Sequence, residues 1–348
     1  MNEFDLINEV RPEVAPYDPG TKAMARDRLL RAGRSRWAWR RPYTFALAGG
    51  LAVAVGVVAV QVPSPSNPPH EMKLLSAAEV LNRAARAAAD EIEPRDDQYI
   101  VVKTLQTMDY SLMPYEKSKD HYYRRYKNTV WLRAGERRPG QYADGVRKQT
   151  PIEPLAYAGE PIPKSAYKDM GTKIQPIVYC KDFKSDYPTI KNLPTDPAGM
   201  RTHLDAMWKP KAEKLTPFLA FLAARELLWQ TYLPAAQRSA LYQALSTFPG
   251  ITIDEEVQDA AGRKGVGVGF TSPDGLRWEL IFDRDTYALL GDRQVVVDTK
   301  TAKAAKVAKP PVGTLVAATA QLDISVADSA PDVEIEERFK SGQWCTGS

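Results

Sequence analysis

The segment Pro42–Val62, PYTFALAGGLAVAVGVVAVQV, carries no charged side chain, and from Phe45 to Val60 it is almost wholly Ala, Val, Leu and Gly. About 19 residues at a rise of about 1.5 Å reach about 28 Å, close to the hydrocarbon thickness of a bilayer. A helix in a soluble core would keep a polar side over that length, and this one has none. It reads as a transmembrane helix over residues 42–62. Arg31, Arg34, Arg36, Arg40 and Arg41 precede it with Trp37 and Trp39 among them, and Pro63–Pro69 after it holds no base. Basic flank inside and aromatic rings at the interface place the N-terminus in the cytoplasm and the C-terminal domain outside. The run before the apolar stretch is longer than a signal peptide needs. Val60-Gln61-Val62-Pro63 lacks a small-x-small cleavage pattern, so the expectation is an uncleaved signal-anchor in the cell membrane.

That topology explains the charge. The chain has 348 residues and a net charge of +4. Residues 1–41 hold nine Lys/Arg against six Asp/Glu, which is +3, leaving about +1 for the remainder. A nucleic-acid binder would cluster its positive charge in the folded domain, so that class is set aside. Cys180 and Cys345 both fall beyond the anchor, where disulfides are favoured; a bond between them and two free thiols both remain open.

Taken in order, residues 1–41 form a cytoplasmic helical segment. Asp18 caps its main helix, Pro19 suits the first turn, and Met24, Leu29 and Leu30 give a weak apolar side. It fits anionic lipid or a cytoplasmic regulatory protein as partner. Residues 63–72 are a proline-rich spacer. The ectodomain, residues 73–330, opens on a helix with Ser76 and Glu79 as a capping box and Leu81, Ala85, Ala88 and Ile92 on one face. Strands are expected at Tyr99–Leu105, Tyr122–Tyr126 and Thr129–Leu132. The mixed bases and aromatics of Tyr122–Lys127 read as cross-strand packing. Residues 147–200 read as a long irregular excursion with a short strand at Ile177–Tyr179. Helices return at Asp196–Lys209, Thr216–Leu233 and Pro234–Phe248, with Pro249-Gly250 as a stop. The last third is β, with runs at Ile251–Ile253, Lys264–Thr271, Leu276–Phe282, Tyr287–Leu290, Gln294–Val297 and Val312–Val326. Ser272–Gly275 and Asp283–Thr286 supply hairpin turns. Residues 331–348 read as a flexible tail.

Chemistry is sparse. The three histidines are His70, His121 and His203, and no metal, P-loop or nucleophile-elbow motif accompanies them. Gly265-Val-Gly-Val-Gly269 reads as a strand whose glycines let something lie flat on one face. Asp254–Glu256 and Glu334–Glu337 read as solvated acidic surface. No catalytic, cofactor-binding or metal residue is assigned and no cofactor is expected.

Several local motifs recur together: Arg11-Pro-Glu-Val14 with Asp18-Pro19, Arg28-Leu-Leu-Arg31, and Ala48-Gly-Gly-Leu-Ala52. Further along come Pro234-Ala-Ala-Gln-Arg238, Ala240-Leu-Tyr-Gln-Ala-Leu245, Asp259-Ala-Ala-Gly-Arg263 with Gly265-Val266, and Glu279-Leu-Ile-Phe-Asp283 with Leu289-Leu-Gly291. In these the chain resembles an uncharacterised actinobacterial family of single-pass membrane proteins, often encoded beside extracytoplasmic-function sigma-factor genes. The resemblance implies a role in sigma-linked envelope signalling. The order of elements implies an α+β ectodomain with a curved antiparallel sheet and packed helices, similar to lipoprotein-carrier and sigma-regulator sensor domains. The leading expectation is a non-enzymatic envelope sensing or regulatory protein. A lipid or lipoprotein binding module and an exported hydrolase are the alternatives.

Overall fold

The computed structural model describes residues 76–88, 92–110, 120–137, 139–157, 159–179, 186–208, 216–299 and 310–340. The anchor, the 1–41 segment, the spacer, the membrane-orienting residues Arg31 to Arg41, and Cys180 and Cys345 lie outside them. Among the described residues, no helix is long and apolar enough to cross a membrane.

Helix α1 (Ala77–Ala87) starts where expected: the Ser76 hydroxyl accepts a hydrogen bond from Glu79 N–H at 3.1 Å. The other half of the box is not made, because Glu79 turns to Arg83 one turn on. Val80, Leu81, Ala84 and Ala85 form the buried face. The helix stops at Ala87, so Ile92 packs from outside it. Loss of this cap in Ser76→Ala is expected to lower the unfolding free energy by about 1 kcal/mol, read from a urea midpoint.

Strands β1 (Tyr99–Asp109), β2 (Tyr122–Arg133), β3 (Gly145–Ala156) and β4 (Lys173–Ile177) form one antiparallel meander. Strand β2 is a single strand where two fragments were expected. Strand β3 and the one-turn helix α2 (Tyr187–Ile190) correct the irregular excursion. Pro151 and Pro154 hid β3. A proline cannot donate to a ladder, but β4 pairs only with Gly145–Gln149, so both prolines sit where β3 is an edge strand. Helices α3 (Pro197–Trp208), α4 (Pro217–Gln230) and α5 (Ala235–Ser246) follow. Asp196 accepts from Gly199 N–H and Thr216 from Leu219 N–H as N-caps. The chain then makes a second antiparallel meander, β5 (Thr252–Gln258), β6 (Lys264–Thr271), β7 (Leu276–Phe282) and β8 (Leu289–Val296), and closes with β9 (Leu315–Ala327). A four-residue helix, α6 (Glu337–Lys340), lies in the stretch expected to be a flexible tail.

All nine strands form one curved antiparallel sheet in the order β4-β3-β2-β1-β9-β8-β7-β6-β5. Strand β9 joins the two meanders, pairing with β1 on one side and β8 on the other. The chain leaves the sheet at one edge, β4, and re-enters at the opposite edge, β5. Helices α2–α5 are that crossing. They lie with α1 against one face, where Val266, Val268, Phe270, Leu280 and Phe282 meet Phe221, Leu241 and Leu245 in the main core. Helix α4 is apolar nearly all round because it is wedged between the sheet and the other helices. The alternation of β6 and β7 decides which side chains enter this core: even-numbered residues face the helices, and Gly265, Gly267, Gly269, Glu279 and Ile281 face away.

Candidate functional site

Between the helices and the sheet lies an open cleft of about 420 Å³. Its existence follows from small side chains on α1. Ala84, Ala87 and Ala88 line that wall where larger residues would have filled it. Leu228 of α4, Thr231 just after its end, and Leu233, Arg238 and Tyr242 from α5 and its approach make the back wall. The β7–β8 turn contributes Tyr287, Ala288 and Leu289, and β9 contributes Gln321–Ile324.

Two backbone irregularities shape the mouth. In the β1–β9 pairing, Thr104 stands opposite Gln321 and Lys103 opposite Asp323, so Leu322 is an extra residue with no partner across the ladder. Such a bulge re-aims side chains. It brings Gln321 and Ile324 to the same cleft and leaves Leu322 48% exposed at its edge. The second is Tyr287, a non-glycine residue with φ of 59°. The Asp283 carboxylate holds the turn before it by accepting from Asp285 N–H, Thr286 N–H and the Thr286 hydroxyl, and these bonds hold the Asp283 pKa below its ordinary value. A left-handed tyrosine is costly unless its surroundings fix it. Here the Arg83 guanidinium donates to its hydroxyl at 2.7 Å and lies over its ring, tying α1 to the turn across the mouth.

The walls are mixed in polarity. Tyr232 accepts from Ile92 N–H at 3.1 Å, and Asp323 pairs with Lys103 at 3.0 Å. Tyr242 is different. It is 2% exposed, its ring meets Phe282 edge-on at 5.4 Å, and its hydroxyl has no hydrogen-bond partner among the described residues. A buried hydroxyl left without a partner costs about 1–3 kcal/mol. Burial pushes the phenol pKa up, and the nearby Arg238 charge opposes that rise.

Other polar features lie elsewhere. The glycines of β6 do let something lie flat: a Cβ on Gly267 would come within 2.9 Å of the Glu279 carboxylate. Glu279 is fully buried on the face away from the helices, bridging Arg277 and Arg293, and Arg293 also reaches Asp254 at 2.9 Å. The Asp254–Glu256 run is thus partly consumed in an ion-pair network. Tyr122–Lys127 is cross-strand packing, with Tyr110 and Tyr122 rings 4.6 Å apart and Arg124 over Tyr110. His121 packs against Tyr157 with the two rings tilted, His203 lies on α3, and neither lines the cleft. Among the described residues, no group of three or more His, Cys, Asp or Glu is placed to hold a metal ion. A binding module between sheet and helices was among the expectations, but none of the cleft's residues was identified from sequence, because its walls come from residues 84–92, 228–242, 287–289 and 321–324 and no local pattern joins them.

Fold and site together define an α+β domain in which a curved sheet holds helices over a ligand-sized cleft. No family model matches the chain, and no curated protein matches it. Among solved structures, it is similar in outline to MucB in complex with MucA(peri), at 13% identity and a TM-score of 0.24, over 75% of this chain and 59% of that one. It is similar likewise to MucB in the Pseudomonas aeruginosa MucA/MucB complex, at 14% identity and a TM-score of 0.24, over 76% and 60%. MucB crystallised under its own name overlaps at 14% identity and a TM-score of 0.20, over 74% and 60%. The chain thus spans about three-fifths of the length of these neighbours. Overlaps this loose assign neither a ligand nor a partner.

Proposed function

We propose that the chain is a non-enzymatic regulatory protein of the cell envelope. In this reading residues 42–62 cross the membrane once, the described domain lies outside, and residues 1–41 deliver its state to a cytoplasmic, sigma-linked factor. The observation that carries the reading is the cleft between helices and sheet. Its occupant would touch α1, the first element among the described residues, and β9, the strand that joins the two halves of the sheet. A bound molecule therefore bears on the described element nearest the anchor in sequence and on the centre of the sheet at once. A change in how α1 seats is the simplest signal such a site can send. The topology rests on the uncharged 42–62 segment and its arginine flank, and the sigma link on the quoted sequence motifs.

A second reading, a lipid-binding module, is favoured by the size of the cleft, which falls in the usual range for small-molecule sites. The polar groups on its walls favour a ligand with a head group over a purely apolar one.

The test is site-directed photocrosslinking of the full chain in its membrane from Met24, Leu29 and Leu30. A cytoplasmic sigma-associated protein caught from these positions and lost in Leu29→Asp/Leu30→Asp supports the reading. Crosslinks to lipid alone at all three positions, or digestion of residues 1–41 by protease added to intact cells, overturn it.

A further inference from the structure

The unsatisfied hydroxyl of Tyr242 contributes nothing to the core around it. The ring's edge-on contact with Phe282 would be made equally well by phenylalanine. Yet the side chain lies in the cleft wall, and Arg238, one turn earlier on α5, lines the same cleft from the same side of the helix. A phenol that can donate and a guanidinium near enough to influence its titration form a pair suited to a carboxylate. Leu228 and Leu233 of the back wall and Leu289 from the β7–β8 side supply apolar surface beside this pair. Asp323, the acidic group on the opposite wall, is paired with Lys103. At the ~30 Å³ that a water-sized group occupies in a liquid, about 420 Å³ holds roughly fourteen non-hydrogen atoms.

We propose that this cleft binds a small monoanionic amphiphile, a carboxylate carried on a chain or ring of about a dozen carbons, with the acid group seated at Tyr242 and Arg238 and the carbon skeleton against Leu228, Leu233 and Leu289. The proposal deepens the regulatory reading, and rests on the cleft being its receiving site. The Tyr242 hydroxyl is covered, so seating the head group takes side-chain rotation in the wall, a common adjustment on binding. The carboxylate then supplies the acceptor that the hydroxyl lacks.

The probe is decanoate, a soluble acid of this size. The full chain is reconstituted in phosphatidylcholine vesicles, and binding is read by equilibrium dialysis against empty vesicles. The expected result is saturable binding, one per chain, weakened about tenfold in Tyr242→Phe and in Arg238→Met. Decanol should bind about tenfold more weakly than decanoate, and decylammonium should show no saturable binding. Ala87→Trp, at the exposed mouth, should block the site. The unfolding midpoint of Tyr242→Phe should not fall, which separates a lost donor from a lost fold. Undiminished decanoate binding in Tyr242→Phe, equal binding of decylammonium, or no saturable binding above the vesicle blank would each overturn the proposal. The regulatory reading is judged separately, by the crosslinks from residues 1–41. Decanoate binding without those crosslinks sinks that reading alone, and crosslinks without decanoate binding sink this proposal alone.

Discussion

Replacing Glu279 by alanine is expected to remove about 3–5 kcal/mol of folding free energy, because it leaves two largely buried guanidinium groups facing each other with no anion between them. The carboxylate is fully buried, and the side chains of Arg277 and Arg293 are only 11% and 17% exposed. Each arginine takes one carboxylate oxygen. The register explains why the three meet: Glu279 stands directly opposite Arg293 on β8 and, across β6, opposite Gly269, while Gly267 leaves the space its carboxylate occupies. Arg277 extends the network to β5 through the Thr252 hydroxyl, and Arg293 through Asp254. Three strands, β5, β7 and β8, are thus fastened on the face opposite the helices, across the glycines of β6. Charge removal alone does not dictate the loss. Taking out all three ions together, in Arg277→Met/Glu279→Leu/Arg293→Met, removes the uncompensated charge and should bring stability back to within about 1–2 kcal/mol of the parent, as such replacements often do. Urea unfolding of the two variants side by side makes the comparison. An alanine variant losing less than about 1 kcal/mol would mean the network is solvated and the face is not sealed as described.

Glu279 also shows where a sequence stops being readable. The β7 run alternates as a strand with one wetted face should, and on that pattern Glu279 belongs to solvent. Its burial depends on glycine on the neighbouring strand β6, on Arg277 of its own strand and on Arg293 of β8, a combination that periodicity does not report. Elements set by local rules were readable. The Ser76, Asp196 and Thr216 caps, the Pro249-Gly250 stop and the turns at Ser272–Gly275 and Asp283–Thr286 all fall where the residues place them. Gly250 has the left-handed φ of 85° that such a stop needs. Strand β3 was lost because Pro151 and Pro154 argue against a strand unless its outer side is known to be unpaired, and that is a fact of topology. The cleft was the least readable feature. One of its edges is a single unopposed residue, Leu322, and a one-residue bulge leaves no trace in composition or period. Its most informative group, Tyr242, looks in sequence like one more inward residue of an amphipathic helix. Only the absence of a partner for its hydroxyl sets it apart.

Phe221→Ala is the second large effect, expected to cost about 3–5 kcal/mol and to lie in the upper half of that range. Phe221 is fully buried on α4, with the Phe270 ring of β6 edge-on at 5.4 Å and 63°. The loss combines the transfer free energy of the ring with the hole it leaves, and the hole persists when the surroundings cannot move in. They cannot here. One side is the sheet, pinned through β6 and β7 by the ladder and by the ion network on its far face. The other is the packed layer of α3 and α5, with Leu241 and Leu245 fully buried. Phe218, one turn away on the same helix, is the control. It touches Phe270 and Trp278 at 6.5 Å from a partly exposed position, so Phe218→Ala should cost about half as much. An unfilled apolar hole stays dry and accepts a small apolar guest, so benzene should raise the unfolding midpoint of Phe221→Ala and leave that of the parent and of Phe218→Ala unchanged. If Phe221→Ala cost no more than Phe218→Ala, or gained nothing from benzene, the helices would not be pressed against the sheet, and the cleft beside them would have no rigid wall on which to seat a ligand.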